Sequence, residues 1–163
     1  SLSCKTNERT TEFSMILWID ADACPRPVRD VAVKAARRKQ IELVLVANSA
    51  QQLPPGPGIR QVTVSAGADA ADHYIIEQSR PCDLVITADI PLAAGLVDRH
   101  VTAINPRGQI YDKASIGDRL AMRNLMDELR GAGLAGRGGP APYSDKDKQA
   151  FANALDRLLT RGS

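Results

Sequence analysis

The sequence predicts an α/β fold in which a mainly parallel sheet is covered by helices on both faces. Two observations predict it. Short aliphatic runs alternate with segments of helical periodicity through the first two thirds of the chain, and that order demands crossover connections between parallel strands. The last third then shows helical spacing alone, so a helical C-terminal part is expected to pack on the sheet. The 163 residues suit one domain, and with only 4% aromatic residues its core must be mainly aliphatic.

The elements follow in order. Residues 1–14 are polar and aperiodic and read as a disordered extension; the domain proper is expected over 15–163. Residues 16–19 form a short apolar run, read as a buried strand. Pro25 and Pro27 punctuate the chain, and Val28, Val31, Ala32, Ala35 and Ala36 follow at helical spacing. Residues 43–47 make a second strand. The proline- and glycine-rich stretch 53–58 is a loop, and 62–64 predict a third strand. Residues 68–79 read as a helix with Ala71 and Ile75 on one face. Residues 84–86 are a fourth strand, and Pro91 suits the first turn of the helix after it. Residues 101–104 are a fifth strand, ended by Asn105 and Pro106. Met122, Leu125, Met126 and Leu129 then recur at helical spacing. A glycine-rich connector over 131–139 carries Arg137. Ser144 is placed to cap a last helix whose stripe is Phe151, Ala154, Leu155, Leu158 and Leu159.

The formal charge is only +2, with 21 basic against 19 acidic residues, so an argument for nucleic acid must rest on local clustering. No apolar run is long enough to span a membrane. The N-terminus lacks a secretory pattern, and Cys4, Cys24 and Cys82 form no CxxC pair. Reduced thiols in a cytoplasmic protein are the expectation.

Ligand sites of open parallel sheets lie beyond the carboxyl ends of the strands. The first strand runs into Asp20-Ala21-Asp22, the fourth into Thr87-Ala88-Asp89, and the helix after the third opens with Asp69-Ala70-Ala71-Asp72. Converging carboxylates repel one another, so either their pKa values rise or a cation neutralises them. Oxygen-only ligands favour Mg²⁺ or Mn²⁺, and the matching chemistry is phosphoryl transfer. Any one of these aspartates alone equally fits a helix cap; the agreement of three segments favours a shared ion.

Basic residues cluster from Arg26 to Lys39. Arg37, Arg38 and Lys39 read as a solvated face at a helix C-terminus, whereas Arg26 and Arg29 lie nearer the acids and are candidates for substrate phosphate. Arg107, after the fifth strand, fits a phosphate clamp and an exposed turn equally. Arg119 and Arg123, one helical turn apart, are candidates to join the same region. Aromatic residues for base stacking are not interleaved with these charges. Cys24 lies beside the acids at a helix start, where a thiolate is stabilised, but neither His73 nor His100 is placed to activate it. Cys82 reads as a small core residue.

Three stretches, 19–25 (Ile-Asp-Ala-Asp-Ala-Cys-Pro), 67–72 and 83–93, together resemble the bacterial YaiI/YqxD family of uncharacterised proteins. Pro106-Arg107-Gly108, Gly138-Gly139-Pro140 and the last helix are similar to that family's later motifs. The resemblance covers Met15 to the C-terminus and places the chain near the PIN-like nucleases. It implies a three-layer α/β/α sandwich with an acidic pocket for Mg²⁺ or Mn²⁺. Asp20, Asp72 and Asp89 match the catalytic carboxylates, with Asp22 and Asp69 as additional metal ligands.

Three functions are in competition. The leading expectation is a metal-dependent nuclease acting on RNA or single-stranded nucleic acid, with Arg26, Arg29 and Arg107 on substrate phosphates. The second is a haloacid-dehalogenase-like phosphatase with Asp20 as nucleophile, although Ala23 and Cys24 depart from its signature. The third is a metal-stabilised RNA-binding module without turnover.

Overall fold

The computed structural model describes residues 15–50, 56, 58–65, 67, 69–133 and 142–162. The readings made above for 1–14 with Cys4, for most of 53–58, and for the connector beyond Gly133 with Arg137 lie outside them.

Five strands form one sheet: β1 Ile16–Asp20, β2 Glu42–Ala47, β3 Ile59–Thr63, β4 Leu84–Ile86 and β5 Thr102–Ile104. Every pairing is parallel, in the order β3-β2-β1-β4-β5. The helices are α1 Arg26–Lys39, α2 Ala70–Gln78, α3 Ile90–Asp98, α4 Lys113–Gly131 and α5 Asp145–Gly162. This is the expected α/β/α sandwich.

The pleat sorts side chains to two cores, because successive residues of a strand point to opposite faces. Leu17 and Ile19 of β1 with Leu43 and Leu45 of β2 join Val28, Ala32 and Ala36 of α1 and Phe151, Leu155 and Leu159 of α5. Trp18, Val44 and Val46 face the other way, onto Ile75 of α2 and Leu92 and Leu96 of α3. Strands buried on both faces read as continuous aliphatic runs, which is why β1, β2 and β4 were visible in the sequence. The third strand differs: it spans 59–63, not 62–64. Its pairing begins at Ile59 opposite Leu43, where the Gly58 carbonyl accepts from the Leu43 amide at 2.7 Å. As an edge strand with exposed positions it needs no apolar run.

The last helix starts as expected and more tightly. The Ser144 hydroxyl accepts from the Asp147 amide at 3.2 Å, and Asp147 Oδ2 accepts from the Ser144 amide at 3.0 Å, a reciprocal capping box. The 105–109 turn docks this helix. Asn105 Oδ1 accepts from the amides of Arg107 and Gln109, and the Tyr143 hydroxyl donates to the Pro106 carbonyl at 2.8 Å. Gly108, at φ +88°, lies against α5 so closely that a Cβ there would sit 2.7 Å from the Ala150 carbonyl oxygen.

The other C-terminal helix departs from expectation. α4 packs against α3 rather than over the sheet, anchored on the second core by Ile116. None of its residues is buried, and Met122 and Leu125 of the predicted stripe are 58% and 48% exposed. Helical periodicity located the helix but not its depth.

At the sheet edge where strands begin, Asp83 is fully buried. Its oxygens accept from the Ile16 amide at 3.0 Å, the Trp18 indole at 3.1 Å and the Arg80 amide at 2.9 Å. The carboxylate staples β1 to β4 and so fixes the register that aligns their opposite ends. No helix among the described residues is long and apolar enough to cross a membrane.

Candidate metal centre

In an open parallel sheet the crevice lies where the winding of the chain reverses. Here the chain moves from β1 through β2 to β3, then returns to β4 and β5 on the other side of β1. The reversal therefore falls between β1 and β4. Asp20 is the last residue of β1, Asp89 follows β4 as the N-cap of α3, and Asp72 stands in the first turn of α2. One carboxylate oxygen from each of the three lies within 4.8 Å of the other two.

Local bonds aim these side chains. Asp20 is 2% exposed, and its Oδ2 accepts from the Thr87 hydroxyl at 2.9 Å. That hydroxyl in turn accepts from the Asp89 amide at 3.0 Å, so one threonine ties two of the acids together. The Thr87 carbonyl accepts from the buried Tyr111 hydroxyl at 3.1 Å. Asp89 Oδ1 accepts from the Leu92 amide at 3.1 Å, which caps α3 through one of its two oxygens.

The electrostatics match the crowding. Burial pushes the Asp20 carboxyl up to about 6, with the charges of Asp89 and Asp22 adding to it and the Thr87 bond opposing it. Asp72 is pushed up to about 7, first by burial and then by Asp89, Asp20 and Asp69. A neutral Asp72 also hydrogen-bonds Asp89, which favours its protonated form. The donor set fits a hard cation. Two oxygens on opposite sides of Mg²⁺ stand about 4.2 Å apart, so these acids lie at the separations from which a shared ion can be held.

Two predicted ligands lie outside the trio. Asp22 is exposed, and its Oδ2 accepts from the Asn48 amide at 2.8 Å, which ties the turn after β1 to the end of β2. Asp69 is the N-cap residue of α2 but makes no side-chain cap bond. Both contribute charge to the site.

The predicted phosphate ligands separate. Arg26 is exposed and Arg29 half-buried, and both line a small recess with Ala21 and Cys24 at the start of α1. Arg107 turns instead to Asp147, 3.6 Å away, as part of the docking of α5. Arg38 and Lys39 engage Asp156 and Thr160 of α5. The thiolate expected at Cys24 is corrected: burial and the nearby Asp20 charge push the thiol well above its ordinary value, and Sγ lies 3.7 Å from the Ile86 carbonyl oxygen as a neutral donor.

Sequence reasoning gave no role to Thr87 or Tyr111. Thr87 had a signal, a hydroxyl two residues before Asp89 at a strand end. Tyr111 had none, because its partner is distant along the chain.

The family described as "Uncharacterized BCR, YaiI/YqxD family" matches residues 18–161. A UPF0178 protein of Pseudomonas paraeruginosa is 52% identical over 147 residues, covering 90% of this chain and 91% of its own. A UPF0178 protein of Aeromonas hydrophila is 53% identical over 148 residues, covering 91% and 98%. One of Shewanella baltica is 50% identical over 145 residues, covering 89% and 96%. No solved structure gives a significant match. With the match spanning both cores and all three acids, the chain belongs to the YaiI/YqxD family, a family of uncharacterised proteins.

Proposed function

We propose that this chain is a Mg²⁺- or Mn²⁺-dependent hydrolase of phosphodiester bonds in RNA or single-stranded nucleic acid. The observation that carries the reading is the convergence of Asp20, Asp72 and Asp89 at the winding reversal of the sheet. The PIN-like nuclease role that the sequence resemblance implies for these same residues agrees with it. A divalent cation held there supplies charge neutralisation for a phosphate and lowers the pKa of an attacking water. The chain's own groups do the positioning. Thr87 holds Asp20 through one oxygen, and α3 holds Asp89 through one oxygen. Asp72, pushed up to about 7, is partly protonated near neutral pH and would release that proton to serve as a ligand. Arg26, exposed in the recess at the start of α1, meets incoming phosphate.

The test is cleavage of end-labelled single-stranded RNA with Mn²⁺ and with chelator. Wild type cuts only with the ion, and Asp20→Asn or Asp72→Asn loses at least about 100-fold. Equal cleavage by wild type and both variants refutes the assignment. Tight RNA binding without cleavage replaces it by the binding-module reading, and a beryllium fluoride adduct at Asp20 replaces it by the phosphatase reading.

A further inference from the structure

We propose that Arg119 is a second substrate-phosphate ligand of this site, its guanidinium held on the Tyr111 ring, whose hydroxyl bonds Thr87 between two of the acids. The inference rests on the phosphodiesterase reading and goes beyond it by naming a further group, besides Arg26, that receives the anion.

Tyr111 is 4% exposed and fixed at both ends. Its hydroxyl donates to the Thr87 carbonyl at 3.1 Å, and its amide donates to the Ala103 carbonyl at 2.9 Å. The ring is thereby locked under the turn that carries Thr87 and Asp89. The Arg119 guanidinium carbon stands 5.2 Å from the centre of that ring, and Nη2 donates to Gln109 Oε1 at 3.0 Å. Gln109 is itself braced, its Oε1 also accepting from Asn105 Nδ2 at 3.0 Å. A ring face and an amide oxygen orient the guanidinium without neutralising it.

That sets Arg119 apart from its neighbours. Arg107 is paired with Asp147, Arg123 and Arg130 with Asp127, and Arg38 with Asp156. Among the described residues no carboxylate lies within 4 Å of Arg119. Asp112, the acid whose ionised form Arg119 favours at longer range, is committed to Ser115 at the start of α4. Burial raises the Tyr111 hydroxyl; of the charges near it, Arg119 favours its ionised form and Asp89 opposes it. The Tyr111 hydroxyl bonds the carbonyl of Thr87, whose own hydroxyl holds Asp20 and the Asp89 amide, so Arg119 is joined to the acids through Tyr111 and Thr87. On this reading a phosphodiester lies between them, with its non-bridging oxygens on the two-pronged guanidinium.

The experiment compares wild type, Arg119→Gln and Arg119→Lys in three measurements. Calorimetry gives Mn²⁺ affinity, phosphorus NMR gives inorganic phosphate affinity of the Mg²⁺-loaded protein, and steady-state cleavage of single-stranded RNA separates KM from kcat. Arg119→Gln keeps Mn²⁺ affinity within about twofold, weakens phosphate binding at least about tenfold and raises KM by a similar factor. Arg119→Lys, which keeps the charge and loses the fork, falls between. Unchanged phosphate affinity and KM in Arg119→Gln overturn the assignment to Arg119 and leave the phosphodiesterase reading standing. A wild-type protein that binds Mn²⁺ but neither phosphate nor RNA overturns both.

Discussion

Replacing Asp20 by Asn should make the ion-free protein more stable while abolishing its stabilisation by Mn²⁺. The Asp20 carboxyl sits at about 6 in the folded protein against 3.8 unperturbed. A raised carboxyl pKa means the folded state binds the proton more tightly than the unfolded chain does. Stability from Asp20 is therefore full below about pH 4 and is lost as pH rises to about 6. At about 1.4 kcal/mol per unit, the ionised carboxylate costs ~3 kcal/mol above that range, an upper bound for the gain from a neutral isostere. Asn keeps a carbonyl oxygen for the Thr87 hydroxyl, so the main bond survives. For a chain of this length 1 kcal/mol moves Tm by roughly 2–4 °C. In chelator at pH 8, Asp20→Asn should melt up to about 10 °C above wild type, and the two should converge near pH 4. With saturating Mn²⁺ the wild type should gain stability and the variant should not. A variant that is less stable than wild type in chelator at pH 8 refutes the electrostatic reasoning. Equal Mn²⁺ stabilisation of the two refutes the ion site.

The apparent Mn²⁺ affinity should climb with pH as the Asp20 and Asp72 pair, at about 6 and about 7, gives up its protons. It should level above about pH 7, and calorimetry in buffers of different ionisation enthalpy should show proton release on binding at pH 6 and little at pH 8. Thr87→Val should weaken Mn²⁺ binding and cost about 1–3 kcal/mol of stability, because the Asp89 amide and Asp20 Oδ2 both lose the hydroxyl. Thr87→Ser should restore most of both, and a Val variant with native ion affinity would remove Thr87 from the site. Gly108→Ala should cost about 2–3 kcal/mol through its positive φ and the 2.7 Å approach to the Ala150 carbonyl oxygen, measured by denaturant unfolding. Mn²⁺ affinity should be untouched, since that turn docks α5.

How far the sequence disclosed this arrangement depends on how local each signal is. The central strands announced themselves because burial on both faces leaves Leu17, Ile19, Leu43 and Leu45 no alternative to aliphatic character. Edge strand β3 was legible only at its end, as 62–64 rather than 59–63, since Arg60 and Thr63 face solvent. The acids were readable because strand ends and helix starts are local features. Their partners were not. Tyr111 reaches Thr87 across 24 positions, and Thr87 reaches Asp20 across 67. Arg107, read as fitting a clamp and an exposed turn equally, shows the limit of a local motif. Its motif follows a strand at the functional edge, yet its side chain goes to Asp147 and its backbone amide to Asn105. A polar turn at that edge serves docking as readily as ligand binding, and only the position of α5 decides which.

The cap and the ion ligand are not rival accounts of these aspartates. Asp89 caps α3 through Oδ1, as its place before Ile90 and Pro91 implies, and a carboxylate has a second oxygen to offer. Asp20 and Asp69 occupy cap positions but make no side-chain cap bonds. For Asp20 the capping account therefore fails. It is a carboxylate 2% exposed whose side chain is held by a hydroxyl, with two other acids within reach. Burying a carboxylate so sparsely compensated opposes folding. Asp83, equally buried at the other end of the sheet, shows what a structural carboxylate looks like here: three donors surround it and Arg80 stands 3.7 Å away. The difference between those two aspartates is the strongest reason to read Asp20 as incomplete without a cation.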